Sequence, residues 1–293
     1  MRLPCIHGIL LMMLVMILGG CSGGRKDDRA AIAVSFEPQA WMLRRIVGDD
    51  YDIITLLPAG SDPETYQPSI STMKGLGKTE AYFTLDTDGF EKTITSTLSS
   101  NFPDLKVVDC TEGVEKIYGT HSHDHHNDGG HEHDGEEFDP HMLASIKNSI
   151  RIADNLTRHM TEINPEKADT YRAAGENLKK RLQSMDDSIT GMNLNGKTFA
   201  MRHPSLSYFA RDYGLSQIAL QASGKEASPI QLRRQMEEMK DADTKLFIVE
   251  REHSSSGDNE TVSQLGLKCI EVSLNSADWL DDIMKIADEI NRN

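Results

Sequence analysis

Positive charge and cysteine are both scarce in this chain. Lys and Arg number 31 against 46 Asp and Glu, for a net charge of −15. That balance argues against a nucleic-acid partner and leaves cation attraction or plain solubility. The 293 residues hold four cysteines. Cys5 and Cys21 fall in the N-terminal segment, so Cys110 and Cys269 alone remain for the folded part. The paired-cysteine spacing of a zinc ribbon is therefore absent. Cys110 and Cys269 each end an apolar, β-like run and are expected to be buried free thiols. No His-Glu-x-x-His occurs, which removes the commonest short-range sign of a catalytic zinc. One long apolar run exists, Ile9 to Leu18, and it is too short to span a bilayer comfortably. The two halves of the chain share a rhythm but show no residue-level repeat.

That apolar run belongs to a leader. Arg2 precedes it, and Leu18-Gly19-Gly20-Cys21 follows it. The arrangement resembles a bacterial lipoprotein signal over residues 1–20, with Cys21 as the lipidated residue after cleavage. Residues 21–30 read as a polar tether. The expected location is extracytoplasmic, on a lipid anchor. A disulfide is permitted there, though two cysteines do not establish one.

The remainder alternates β-rich runs with helical stretches. Runs at Ala31–Phe36, Asp52–Leu57, Ala81–Leu85 and Lys106–Cys110 form a first set of four. Lys197–Met201, Ser216–Leu220, Lys245–Val249 and Lys268–Leu274 form a second. Trp41, Met42, Ile46 and Val47 recur at helical spacing between the first two runs. This is the grammar of βα units on a parallel sheet. Between the sets, Ile146, Ile150, Ala153, Leu156, Met160 and Ile163 step by three or four. Asn164-Pro165 restarts the pattern, which Tyr171 to Ile189 continues. Asp139 and Pro140 suit the cap and first residue of that helical region. The expected organisation is a lobe over 31–138, a helical region with a long connecting helix over 139–194, and a second lobe over 195–293. A helix at Trp279–Ile290 closes the chain.

The chemistry concentrates in a tract. His121, His123, His125, His126, His131 and His133 are interleaved with Asp124, Asp128, Glu132 and Asp134 in a loop over 120–137. Imidazole suits zinc, copper and nickel, and the carboxylates concentrate cations locally. Further candidates map to strand ends, where open α/β sheets place ligands. Glu64 lies in the loop after the second run. His203 follows Met201, just ahead of Pro204, where a helix is expected to begin. Asn275 follows Leu274. His141 is placed in the first turn of the connecting region. Together they could converge on one divalent ion, with a loop carboxylate or a solvent-facing histidine as the plain alternative for each.

Three segments resemble the solute-binding proteins of zinc and manganese ABC importers, the cluster A-I group. They are Leu57-Pro58-Ala59-Gly60-Ser61-Asp62-Pro63-Glu64-Thr65-Tyr66-Gln67-Pro68, Asp139-Pro140-His141, and the stretch from His203-Pro204-Ser205 to Gly214-Leu215. Glu226-Ala227-Ser228-Pro229 adds a helix start of the same kind. The resemblance implies two α/β lobes, each a parallel four-stranded sheet flanked by helices, joined by a long helix with a metal between them. It carries His141 and His203 over as ligands. Glu64 stands where that group usually has histidine, and Asn275 stands near a position often held by a carboxylate. Asp278, Glu250 or water could complete the shell. The implied function is capture of Zn2+, with Mn2+ as the alternative, and delivery to an ABC permease by a lipid-anchored monomer. A metal-buffering surface lipoprotein and, less favoured, a zinc hydrolase using Glu250 or Glu252 as base are the competing expectations.

Overall fold

The computed structural model describes residues 29–87, 89–119, 138–222 and 225–293. The leader, Cys21, nearly all of the tether and the whole histidine tract lie outside these residues. No helix among the described residues is long and apolar enough to cross a membrane.

The first sheet holds β1 (Ala31–Val34), β2 (Asp52–Thr55), β3 (Ala81–Thr84) and β4 (Lys106–Asp109), in the order β2-β1-β3-β4. All its pairings are parallel. The helices between the strands are α1 (Glu37–Val47), α2 (Ile70–Leu76) and α3 (Phe90–Asn101). A parallel pair needs such a crossover, and helices on both faces bury the central strands completely. β3 is accordingly buried at every residue.

The second sheet holds β5 (Thr198–Met201), β6 (Ser216–Ala219), β9 (Leu246–Glu250) and β10 (Lys268–Val272), in the order β10-β9-β5-β6. Its pairings are parallel as well. Read from β6, this is the connectivity of the first sheet again. In both sheets the order reverses between the first and third strands of the set. α6 (Ser207–Tyr213), α7 (Pro229–Asp241), α8 (Ser256–Leu265) and α9 (Trp279–Arg292) surround this sheet. A two-residue antiparallel hairpin, β7 (Gln221–Ala222) with β8 (Lys225–Glu226), precedes α7.

Two helices link the halves, α4 (Ile146–Ile163) and α5 (Ala168–Thr190). The 23 residues of α5 give it a length of about 34 Å at the usual rise. Gly175 lets it approach α4 closely, because a Cβ there would stand 2.4 Å from Thr157 Oγ1. One buried core runs through both halves, from Ile32 and Phe83 through Leu156 and Leu182 to Phe199 and Trp279. Trp41 of α1 meets Trp279 of α9 edge to face, with ring centres 6.0 Å apart. Such a contact adds to the area the rings bury. The lobes are thus joined by a packed seam as well as by the connector.

Several expectations are corrected. Six of the eight strands end one or two residues earlier than their apolar runs, while β5 ends with its run at Met201 and β9 continues one residue beyond its run, to Glu250. No helix begins at Asp139: a 3-10 turn, Met142–Ala144, follows His141, and α4 starts at Ile146. Ser145 caps it, its hydroxyl accepting from the Asn148 N–H. The helix after His203 begins at Ser207 rather than Pro204, because the Ser205 N–H turns back to the His203 carbonyl at 2.9 Å. Cys110 is a buried free thiol as expected, whereas Cys269 is exposed. Its strand β10 is the edge of its sheet, so alternate residues face solvent.

Candidate metal centre

The carboxyl ends of both sheets face one cleft. Phe36 and Leu85 reach it from the ends of β1 and β3, and Ser205, Glu250, Glu252 and His253 from the ends of β5 and β9. His141, Leu274 and Asn275 complete much of the remaining wall. The cleft encloses about 570 Å³, counting space open to solvent. A strand-order reversal is where an open α/β sheet leaves a crevice, because the flanking crossovers leave in opposite directions. Here two such crevices share one space.

Three of the expected residues approach one another, with His141 on the cleft wall. Nε2 of His203 lies 3.1 Å from Nε2 of His141 and 3.6 Å from Oε1 of Glu64. His203 is buried to 1% exposure at the end of β5. The Asp62 side chain accepts the Glu64 N–H at 2.8 Å, which shapes the loop that carries Glu64. Asn275 shares the cleft wall with His141, but its side-chain oxygen accepts the Glu37 N–H at 3.2 Å. Its amide nitrogen is buried and meets no acceptor among the described residues. Asp278 stands at the start of α9 and is not part of the cleft wall described above.

His141 is the most tightly held of the set. Asp139, 2% exposed, accepts both the His141 backbone N–H at 2.9 Å and its Nδ1–H at 2.7 Å. That bond fixes the ring orientation and turns Nε2 toward the cleft. The Asp139 backbone is itself held. Its N–H donates to the Ile117 carbonyl at 2.8 Å, and its carbonyl accepts the Tyr208 hydroxyl at 2.7 Å. Burial pushes the Tyr208 hydroxyl up to about 12, so it stays a donor. Burial disfavours charge on His141, yet the Asp139 bond and charge, with Glu250 and Glu64, hold its pKa above the usual imidazole value. Burial likewise opposes ionisation of Asp139, and the His141 bond outweighs it, leaving that carboxyl below its ordinary range. Glu250 goes the other way: burial raises it, only partly offset by the Ser205 hydroxyl and by charge on His141 and His253.

Among the described residues, no three His, Cys, Asp or Glu side chains are already gathered around one ion-sized point. The two imidazoles instead meet Nε2 to Nε2 at hydrogen-bond distance. Two donors each about 2.1 Å from one tetrahedral zinc ion stand about 3.4 Å apart. The 3.1 Å and 3.6 Å separations from His203 fall on either side of that spacing.

Sequence reasoning named the Asp139-Pro140-His141 step but treated Asp139 as a helix cap rather than the partner of His141. It passed over His253 entirely. The ring of His253 stacks on that of His203, with centres 4.3 Å apart and planes 20° from parallel. Its position after the clearest apolar run, in Glu250-Arg251-Glu252-His253, was the available signal.

The sequence and the fold both have counterparts among known proteins. The family model described as ZnuA, zinc-uptake complex component A periplasmic, matches residues 32–284. The zinc-binding protein AdcA of Streptococcus pyogenes serotype M1 is 26% identical over 218 residues, covering 69% of this chain and 42% of that protein. The chain thus spans less than half the length of that streptococcal relative. A putative metal-binding protein of Chlamydia trachomatis serovar D is 25% identical over 283 residues, covering 95% of this chain and 97% of that protein. A crystal structure of ZnuA superposes with a TM-score of 0.80 at 25% identity, covering 90% of this chain and 99% of that one. Two parallel sheets, a long connecting helix and a cleft between them, with the match running from β1 into the last helix, make this chain a member of the ZnuA family of zinc-uptake solute-binding proteins.

Proposed function

We propose that the protein captures Zn2+ in the cleft between its lobes and passes it to an ABC permease. The observation that carries this reading is the approach of His141 and Glu64, from two distant segments, to Nε2 of His203, at 3.1 and 3.6 Å. Two imidazoles and a carboxylate form a recognised zinc donor set. Nothing in that set needs a substrate to be turned over, so capture and release is the favoured reading over hydrolysis. The zinc-binding relative and the zinc-uptake description of the family support the choice of cargo.

The anchor extends the reading. The Leu18-Gly19-Gly20-Cys21 step would tether the protein by lipid to a membrane, with residues 21–30 as the leash and the folded part outside the cytoplasm. The lobes are taken as residues 31–138 and 195–293, with 139–194 between them. The histidine tract would raise the local zinc concentration near the cleft. Manganese is the second reading, and Glu64 is the observation that favours it, because a carboxylate suits harder ions than imidazole does.

The test is metal analysis and zinc titration of the mature protein beside Glu64→Ala, His141→Ala and His203→Ala. One tight zinc per chain, weakened in each variant, is expected. Equal zinc content in all four proteins would remove the cleft as the site. Tighter binding of manganese than of zinc would reassign the cargo.

A further inference from the structure

Glu64 leaves the cleft one imidazole short of the pattern its loop resembles, and the structure supplies another ring nearby. His253 ends a short 3-10 turn, Arg251–His253, that directly follows β9. β9 and β5 are the strands between which the second sheet reverses its order. His203 and His253 therefore leave adjacent strands at the same crevice, and their rings stack at 4.3 Å. His253 lines the cleft already described, beside His141 and Glu250.

The segment is held there by its own structure. Arg202, next to His203, donates from Nε to Oδ1 of Asp258 at 2.7 Å, and both side chains are buried. The other oxygen of Asp258 accepts the Ser255 N–H at 2.8 Å and so caps α8. The 254–258 stretch is thereby tied to the His203 strand end. Glu252, beside His253, accepts from the Ser273 hydroxyl with Oε1. Its Oε2 is buried and meets no donor among the described residues, although Glu252 lines the cleft. A buried carboxylate oxygen without a donor is costly, and a cation in the cleft would relieve that cost.

We infer that His253 is a zinc ligand of this chain's cleft, providing the third imidazole in place of the one that Glu64 displaces. This rests on the zinc-capture reading above. The two rings lie 4.3 Å apart between centres and within 20° of parallel, so a turn of the His253 ring is the movement that would carry one of its nitrogens to an ion held by His203. The resulting set, His141, His203 and His253 with Glu64, is rich enough in nitrogen to hold zinc in preference to manganese.

The experiment compares zinc affinity in His253→Phe, His141→Ala, His203→Ala and the parent by chelator competition. His253→Phe keeps a flat ring against His203 and removes both nitrogens. A loss of at least about tenfold is expected, since even outer partners of metal ligands cost that much. Histidine 15N spectra of the parent, with and without zinc, provide a second measurement that needs no variant. One His253 nitrogen should move to the metal-bound range together with one each from His141 and His203. If His141→Ala and His203→Ala lose zinc while His253→Phe binds as the parent does and the His253 nitrogens stay put, His253 is no ligand and the cleft reading stands. If none of the three variants loses zinc, the cleft reading falls and this inference with it.

Discussion

The grip on His141 predicts a measurable cost at a residue that never touches the ion. Asp139 bonds the Nδ1–H of His141 at 2.7 Å and its backbone N–H at 2.9 Å, from a site that is 2% exposed. The Asp139 backbone is fixed independently by Ile117 and Tyr208. A side-chain change should therefore leave the loop in place and act on the imidazole alone. Asp139→Asn keeps an acceptor but loses the charge that makes Nε2 more basic, and the amide can also turn to present its NH2. Asp139→Ala loses the bond as well. Outer partners of metal-bound histidines are worth about 10–100-fold in affinity. The asparagine variant belongs near the lower end, about 1.4 kcal/mol, and the alanine variant near the upper, about 2.7 kcal/mol. Zinc competition against a chromophoric chelator measures both. Thermal unfolding of the metal-free proteins checks that each remains folded. If both variants bind zinc within a factor of about two of the parent, Asp139 does not orient a ligand, and the role given to His141 must be abandoned.

Other perturbations separate further parts of the argument. Glu64→His should tighten zinc and weaken manganese, because it exchanges a hard oxygen for a borderline nitrogen; titration with each metal would show an unchanged ratio if Glu64 is not a ligand. Deleting residues 120–137 should lower total zinc stoichiometry while leaving one tight site, and calorimetry showing that the tight site disappears would move the principal site to the tract. Trp279→Ala should cost about 3–5 kcal/mol of stability, since the ring is 1% exposed and packs on Trp41 across the lobe seam; denaturant unfolding with a smaller loss would mean that the seam contributes little. Asp258→Ala removes the buried carboxylate that pairs with Arg202 and should cost up to about 3–5 kcal/mol, and a near-neutral result by the same measurement would show that the pair contributes little.

The sheets were legible because their signal is local. Runs such as Ala81–Leu85 and Lys245–Val249 are apolar without alternation, as strands buried on both faces must be. The connector was legible from the three-and-four spacing of Ile146 to Ile163. The His141 region was misread as a helix start because Asp and Pro favour that role in isolation. In the folded chain Asp139 faces the His141 ring, and the helix waits for Ser145. Glu64, His141 and His203, and their convergence on one ion, could be proposed from strand ends and motif, but the spacing between them could not, since it depends on how two sheets face each other. His253 stayed hidden for the same reason. Its segment carries no metal spacing of its own and gains meaning only beside His203. Cys269 was misplaced because an edge strand looks like a central one until its neighbours are known.

The repeated strand order has a consequence for how such a protein can change. Because each donor rides on a separate turn beyond the sheet margins, one can be exchanged, moved or borrowed from a neighbouring turn without disturbing the packed interior that keeps the chain folded. Preference among metals is then adjustable one turn at a time. The exchange proposed above, a carboxylate at 64 balanced by an imidazole at 253, is the kind of trade such a scaffold permits.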